Sequence, residues 1–196
     1  MLTSWAQLNA DIAGCTKCGI SAGINHKVPG QGDPDARLMV IGEGPGAQED
    51  RQGLAFVGAA GQLLTQMLKA IGLSREEVFI GNIVKCRPPG NRVPTDGEAA
   101  NCLPYLRAQT ALIRPQAILL LGATALKHIL GPELRITKAR GQFVLSKGVY
   151  ILPTFHPAAL LRDPGKKKDA WEDLKRLRDI LSGLPEKEKN SRDHPN

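Results

Sequence analysis

Four short, near-continuous apolar runs separated by helix-patterned stretches constrain this chain more than any other feature. They are Arg37–Gly42 (RLMVIG), Val78–Val84 (VFIGNIV), Ala117–Gly122 (AILLLG) and Val149–Thr154 (VYILPT). Runs of Val, Ile and Leu without polar alternation suit strands buried on both faces. Between them, Ala60–Ile71 puts Leu63, Leu64, Met67, Leu68 and Ile71 on one helical stripe. Thr95–Ile113 opens on Thr95-Asp96-Gly97-Glu98, the pattern of a capping box. Ala123–Leu130 ends at Gly131-Pro132, and Lys166–Leu181 is a basic amphipathic helix with Trp171, Leu174, Leu177 and Leu181 on its apolar stripe. Strand–helix alternation predicts an α/β fold, a three-layer α/β/α arrangement around a central four-stranded, mainly parallel sheet. No repeat or linker divides the chain, so one domain is expected over residues 1–184. The segment 185–196 (PEKEKNSRDHPN) is nearly devoid of apolar residues and is expected to be disordered.

A hydrophobic share of 42% with 23% charged residues excludes wholesale disorder. Lys plus Arg number 26 against 19 Asp plus Glu, a net charge of +7 that fits a polyanionic partner such as nucleic acid or an anionic membrane. No run approaches the roughly 18 apolar residues of a membrane span. The opening MLTSWAQLNADIAGC has neither a basic n-region nor a long apolar stretch, so no secretory signal is expected. Four cysteines in such a chain suit metal ligands or free thiols better than a disulfide framework, and the cytoplasm is the expected compartment.

Ligands of open α/β sheets bind beyond the carboxyl ends of the strands. The segments there are Glu43–Asp50, Lys85–Pro94, the start of the Ala123 helix, and Phe155–Arg162. The first holds glycines that allow close backbone approach, and it brings Glu43, Glu49 and Asp50 to the mouth of the sheet. Those carboxylates and the lack of a following GK[ST] disfavour a phosphate loop. Phe56, one of four phenylalanines, sits among small residues, either to stack on a planar ring or to anchor the core. Asn82 lies in a strand, where Asn is uncommon, and its amide needs partners in the protein or in a ligand. His156 follows the fourth run. Beyond it, Leu160 and Leu161 beside Arg162, Lys166, Lys167 and Lys168 pair an apolar wedge with cations, a combination found in proteins that push a side chain into a DNA stack; the alternative is a capped loop running into a surface helix. His26, His128 and His194 have no comparable context. Cys15-Thr16-Lys17-Cys18 with Cys86 and Cys102 offers four thiolates, enough for a zinc ion or a [4Fe–4S] cluster, or simply four free thiols.

Taken together, GEGPGAQED (42–50), GLAFVGAAGQLL (53–64), NIVKCRPPGNRVPT (82–95) and HPAALLR (156–162) resemble, in order, the segments of the uracil-DNA glycosylase superfamily, and within it the family 4 enzymes. The resemblance runs from about Cys15 to Leu181. The chain lacks the extra basic, His-containing loop of the related DNA-crosslinking subgroup, which argues against covalent trapping. The resemblance implies that Cys15, Cys18, Cys86 and Cys102 hold a structural [4Fe–4S] cluster away from the chemistry, with no catalytic metal. It implies that Phe56 stacks on a flipped uracil, Asn82 bonds its O4 and N3–H, and the backbone of Gly42, Glu43 and Gly44 lines the pocket. Glu49 would crowd the C5 edge where thymine has its methyl, and His156 would sit near O2. Leu160, Leu161 and Arg162 would fill the gap left in the duplex, with Lys166, Lys167 and Lys168 on phosphates.

Departure of uracil leaves negative charge on the base, so a donor at O2 acts as an oxyanion hole does. His156 could donate as neutral imidazole or as cation. Family 1 enzymes carry an Asp in the first motif to position the attacking water; here Gly44 stands in its place, leaving Glu43 or Asn91 for that task. The expected partner is uracil-containing DNA, met by a monomer, with no membrane. Two other readings are a non-catalytic iron–sulfur protein that binds DNA, and a zinc-stabilised nucleotide hydrolase. The first leaves Phe56, Asn82 and His156 unexplained; the second lacks a phosphate loop.

Overall fold

The computed structural model describes residues 4–187. Its strands are β1 (Gln31–Gly32), β2 (Leu38–Gly42), β3 (Phe79–Asn82), β4 (Ala117–Leu121), β5 (Val144–Ser146) and β6 (Val149–Thr154). They form one sheet in the order β1-β3-β2-β4-β6-β5. Its inner four strands, β3, β2, β4 and β6, are mutually parallel and are the four apolar runs of the sequence. The sheet has two strands more than expected, both antiparallel edges: β1 on β3 and β5 on β6. Neither is long or apolar enough to stand out, since β1 is a Gln-Gly pair and all three residues of β5 are exposed. β5 turns into β6 through Lys147 and Gly148, both at positive φ (49° and 80°), the two-residue hairpin geometry that matches strand twist.

The helices are α1 (Trp5–Ala13), α2 (Ala47–Gln52), α3 (Ala59–Ala70), α4 (Asp96–Ile113), α5 (Gly122–Leu130), α6 (Ile136–Ala139), α7 (Pro157–Arg162) and α8 (Lys167–Gly183). Strand residues of opposite parity serve the two helical layers. Leu38, Val40, Leu119 and Leu152 pack with Leu64 and Leu68 of α3, Leu160 of α7 and Leu174 and Leu177 of α8. Met39, Ile41, Ile118 and Leu120 pack with Leu8 and Ile12 of α1 and Leu103 and Leu106 of α4. Truncating one of these, such as Leu119→Ala, costs about 2–5 kcal/mol.

The capping box opens α4 as the sequence predicts: the Thr95 hydroxyl accepts from the Glu98 amide at 3.2 Å, and the Glu98 carboxylate accepts from the Thr95 amide at 2.7 Å. On α8 the buried stripe is Ala170, Leu174, Leu177 and Leu181; Trp171 is 37% exposed and lies outside it. Asp173 takes an inward position instead, because Arg140 (2.5 Å) and the Thr154 hydroxyl (2.7 Å) satisfy its carboxylate. Most of the segment expected to be disordered, residues 188–196, lies outside the described residues. Pro185 and Lys187 are held: the Pro185 carbonyl accepts from Gln116 at 2.8 Å, and the Lys187 ammonium donates to the carbonyls of Asp35 and Ile113. Among the described residues no helix is long and apolar enough to cross a membrane.

Candidate active site

The chain leaves β2 for β3 on one side and later returns to β4 on the other, so a crevice opens beyond the carboxyl ends of β2 and β4. There lies a cleft of about 1460 Å³, counting its open mouth, lined by residues of all four inner strand ends. Glu43, following β2, and Thr124, in the first turn of α5, meet across it: the Thr124 hydroxyl donates to Glu43 Oε2. Thr124 is a residue that sequence reasoning passed over. Its only signal there was its place just beyond the third apolar run.

Phe56, Asn82 and His156 come together on the cleft wall. Asn82 is the last residue of β3, paired in register with Gly42 of β2. Gly42 itself lies beneath the cleft and acts by absence. A Cβ there would sit 2.4 Å from the Phe56 ring and 2.6 Å from Asn82 Oδ1, so only glycine lets both approach. Asn82 is buried, and among the described residues its Oδ1 has no hydrogen-bond partner. A buried acceptor left unpaired costs about 1–3 kcal/mol, a cost that a ligand donor would remove. Phe56 anchors the core cluster and also lines the cleft. Its ring faces the imidazole of His156 at 5.7 Å between centroids, tilted by 32°.

His156 caps α7. Its Nδ1 accepts from the Ala158 amide at 3.1 Å, so that nitrogen carries no proton. Burial, then the Arg162 guanidinium, pushes the imidazole down to about 4, against the opposing pull of Glu49. At neutral pH the ring is therefore neutral, with its proton on Nε2.

The three carboxylates of the first motif part company. Asp50 is buried and turns away, accepting from Asn25 Nδ2 at 2.6 Å and from the Asn25 and His26 amides. Glu49 lines the cleft, with both oxygens held by backbone: Oε1 accepts from the amides of Val57 and Gly58, each at 2.8 Å, and Oε2 from Gly46 at 3.1 Å. Glu43 keeps Oε1 free of hydrogen bonds among the described residues. Asn91 lies on the cleft wall in an exposed turn, and its Oδ1 accepts from Arg87 Nε at 2.7 Å.

The leucine pair beyond His156 splits. Leu160 is 2% exposed and belongs to the core; Leu161 is 45% exposed. Arg162 reaches the cleft. Lys166 pairs with Asp163 at 3.0 Å, while Lys167 and Lys168 are exposed. His26 and His128 stand outside the cleft, the one bonded to the Asp50 carbonyl and the other near Asp96; His194 lies outside the described residues.

Cys15, Cys18, Cys86 and Cys102 are free thiols that line one separate cavity of about 370 Å³. Among the described residues no three His, Cys, Asp or Glu side chains are grouped as ligands of one metal ion. Burial, then Cys102, Cys18 and Cys15, pushes the Cys86 thiol up to about 12. Buried Lys85 stands between this cavity and the cleft: its amide donates to Cys102 Sγ at 3.2 Å, and its ammonium donates to the Asn82 carbonyl (3.0 Å) and Gln109 Oε1 (2.7 Å).

Residues 29–175 match the family described as the uracil-DNA glycosylase superfamily. A type-4 uracil-DNA glycosylase of Sulfurisphaera tokodaii is 43% identical over 188 residues, 91% of this chain and 86% of that protein. One of Thermotoga maritima is 43% identical over 171 residues, 85% of this chain and 89% of that protein. A type-5 uracil-DNA glycosylase of Pyrobaculum aerophilum is 35% identical over 156 residues, 71% of this chain and 69% of that protein.

Proposed function

This chain belongs to the uracil-DNA glycosylase superfamily and excises uracil from DNA, and we propose that it reads the flipped base through Asn82, Phe56 and His156 and leaves an abasic site. The observation that carries this reading is the buried Oδ1 of Asn82, which has no partner among the described residues. Uracil offers N3–H to that oxygen and O4 to the amide nitrogen. Cytosine offers the reverse at both atoms, so each contact is mismatched and each mismatch costs on the order of 1–3 kcal/mol. Two of them discriminate by roughly a hundredfold or more. Phe56 supplies the stacking face, and Gly42 to Gly44 supply the backbone floor. Glu49, immobilised by three amides, is a wall rigid enough to reject a methyl at C5. Base flipping itself is the general strategy of glycosylases.

Cleavage of the N-glycosidic bond moves an electron pair onto the base. The neutral His156 donates Nε2–H to uracil O2 and stabilises that charge without transferring its proton; loss of one such donor costs about 10²–10³ in rate. Water then adds at C1′ and gives up a proton, which the Glu43 carboxylate accepts and passes to solvent, while the departed uracil anion takes a proton from solvent. Glu43 positions it better than Asn91 does, because Thr124 fixes one Glu43 oxygen and leaves the other open, whereas the Asn91 oxygen is taken by Arg87. Arg162, Lys167 and Lys168 contact phosphates, Lys166 adds to the same field, and Leu161 supports the opened duplex from its exposed position. Leu160 contributes from below, as the core residue on which that turn rests.

The four cysteines hold a [4Fe–4S] cluster in this reading. All four line one cavity, and four thiolates are the ligand set that such a cluster takes. When bound it supplies a cross-link rather than reaction chemistry, tying the segment after α1 to the end of β3 and to α4. The enzyme works as a monomer in the cytoplasm, where such thiols stay reduced.

The test is single-turnover excision from a uracil-containing oligonucleotide. Asn82→Ala is expected to lose uracil activity with no gain on cytosine; a near wild-type rate would refute the pocket assignment.

A further inference from the structure

Phe56 holds a backbone conformation that a bulky side chain rarely adopts, with φ at 53°. Such a conformation persists only where its surroundings over-determine it. Two side chains do so here, from opposite directions. On one side the Glu49 carboxylate gathers the amides of Val57 and Gly58, just after Phe56. On the other, Arg75 gathers the carbonyls: Nη1 donates to the Phe56 carbonyl at 3.0 Å, and Nη2 donates to that of Ala55 at 2.7 Å. The Thr65 hydroxyl of α3 accepts from Nη1 at 3.3 Å and steadies the guanidinium. Gly61 lets α3 come close enough to complete the fit, because a Cβ there would overlap the Phe56 carbonyl at 1.8 Å. Arg75 does not line the cleft. It lies in the stretch between α3 and β3, outside every motif singled out in the sequence.

We propose that Arg75 is a positioning residue for uracil excision, acting through the main chain of Phe56 to set the height and tilt of the aromatic face. The proposal rests on the reading of Phe56 as the stacking platform. A planar fork suits the task because it spans two successive carbonyls in fixed geometry, which an ammonium cannot do. The Phe56 ring also faces His156, so the same clamp fixes the distance between the stacking face and the O2 donor.

A double-mutant cycle with Phe56 tests this. Arg75→Met keeps most of the aliphatic stem and removes both donors. It is expected to lower the single-turnover excision rate by roughly tenfold or more, the scale of releasing one strained backbone residue. Arg75→Lys, which keeps the charge but not the fork, should fall between wild type and Arg75→Met. In a Phe56→Ala background there is no ring to place, so Arg75→Met should change the remaining rate by less than about threefold. A purely structural arginine would instead cost the same factor in both backgrounds, and that additive result overturns the proposal. If Phe56→Ala excises uracil at the wild-type rate, the platform reading fails and takes the Arg75 role with it. If Arg75→Met folds poorly, the same cycle with Arg75→Lys decides the question by the same criterion.

Discussion

Replacing Gly42 with alanine adds one methyl at the point where Phe56 and Asn82 come closest. The new Cβ would stand 2.4 Å from Phe56 Cζ, 2.8 Å from its Cε2 and 2.6 Å from Asn82 Oδ1, where ordinary contact begins at 3.4 Å. The ring and the amide must therefore each retreat by about 1 Å. Gly42 has no need of a left-handed backbone, so the effect is one of space alone. Overpacking of this kind costs about 1–3 kcal/mol of stability, a fall of about 2–12 °C in Tm for a chain of this size. The catalytic cost is larger in proportion, because a displacement of about 1 Å in a positioned site costs about 10²-fold in rate. Single-turnover excision from a uracil-containing oligonucleotide, measured well below the variant's Tm, separates the two effects. Gly97→Ala is the control, since nothing lies within 4 Å of its added methyl. Excision by Gly42→Ala within about twofold of wild type would refute the argument that excision needs this glycine to let Phe56 and Asn82 converge.

Because the His156 imidazole is pushed down to about 4, its neutral form persists through mild acid; kcat/KM should show no His156 titration between pH 7 and 5 and should fall as pH approaches 4. The unfolded chain protonates the same ring near 6.5, so stability should decline as pH falls from about 6.5 to 4, and His156→Gln should remove that part of the decline in pH-dependent thermal melts. Neutralising Lys167 and Lys168 should make the log–log dependence of DNA affinity on salt shallower by about 0.9 per lost phosphate contact; an unchanged slope would move the footprint elsewhere. Cys86→Ala should reduce soluble yield and abolish brown colour in protein prepared without oxygen, and a colourless wild type would sink the cluster assignment.

The parallel centre of the fold was legible because strands buried on both faces cannot hide: Leu38–Gly42 and Ala117–Leu121 are apolar at nearly every position. The edge strands were not, since a Gln-Gly pair and an exposed Val-Leu-Ser carry no periodicity. The Lys147-Gly148 turn was the available clue to β5. Trp171 misled because helical spacing cannot tell which of two adjacent stripes faces inward, and buried Asp173 looks polar until Arg140 is seen beside it. At the site, the motifs marked Asn82, Phe56 and His156, but the neutral state of His156 depends on burial and on an amide two residues away, neither of which sequence displays. Leu160 and Leu161 look interchangeable in sequence and take opposite environments, because adjacent helix positions are about 100° apart.

The two margins of the sheet differ in their consequence for handling the protein. The β1 margin is only two residues long and is flanked by Pro29 and Pro34, which offer no amide to an incoming strand. The β5 margin is open, with every side chain in solvent and Leu145 62% exposed. Colloidal association in concentrated stocks is therefore expected to start at β5. Leu145→Lys is the substitution that should keep such stocks clear and monodisperse by light scattering, while leaving the cleft on the far ends of the inner strands untouched.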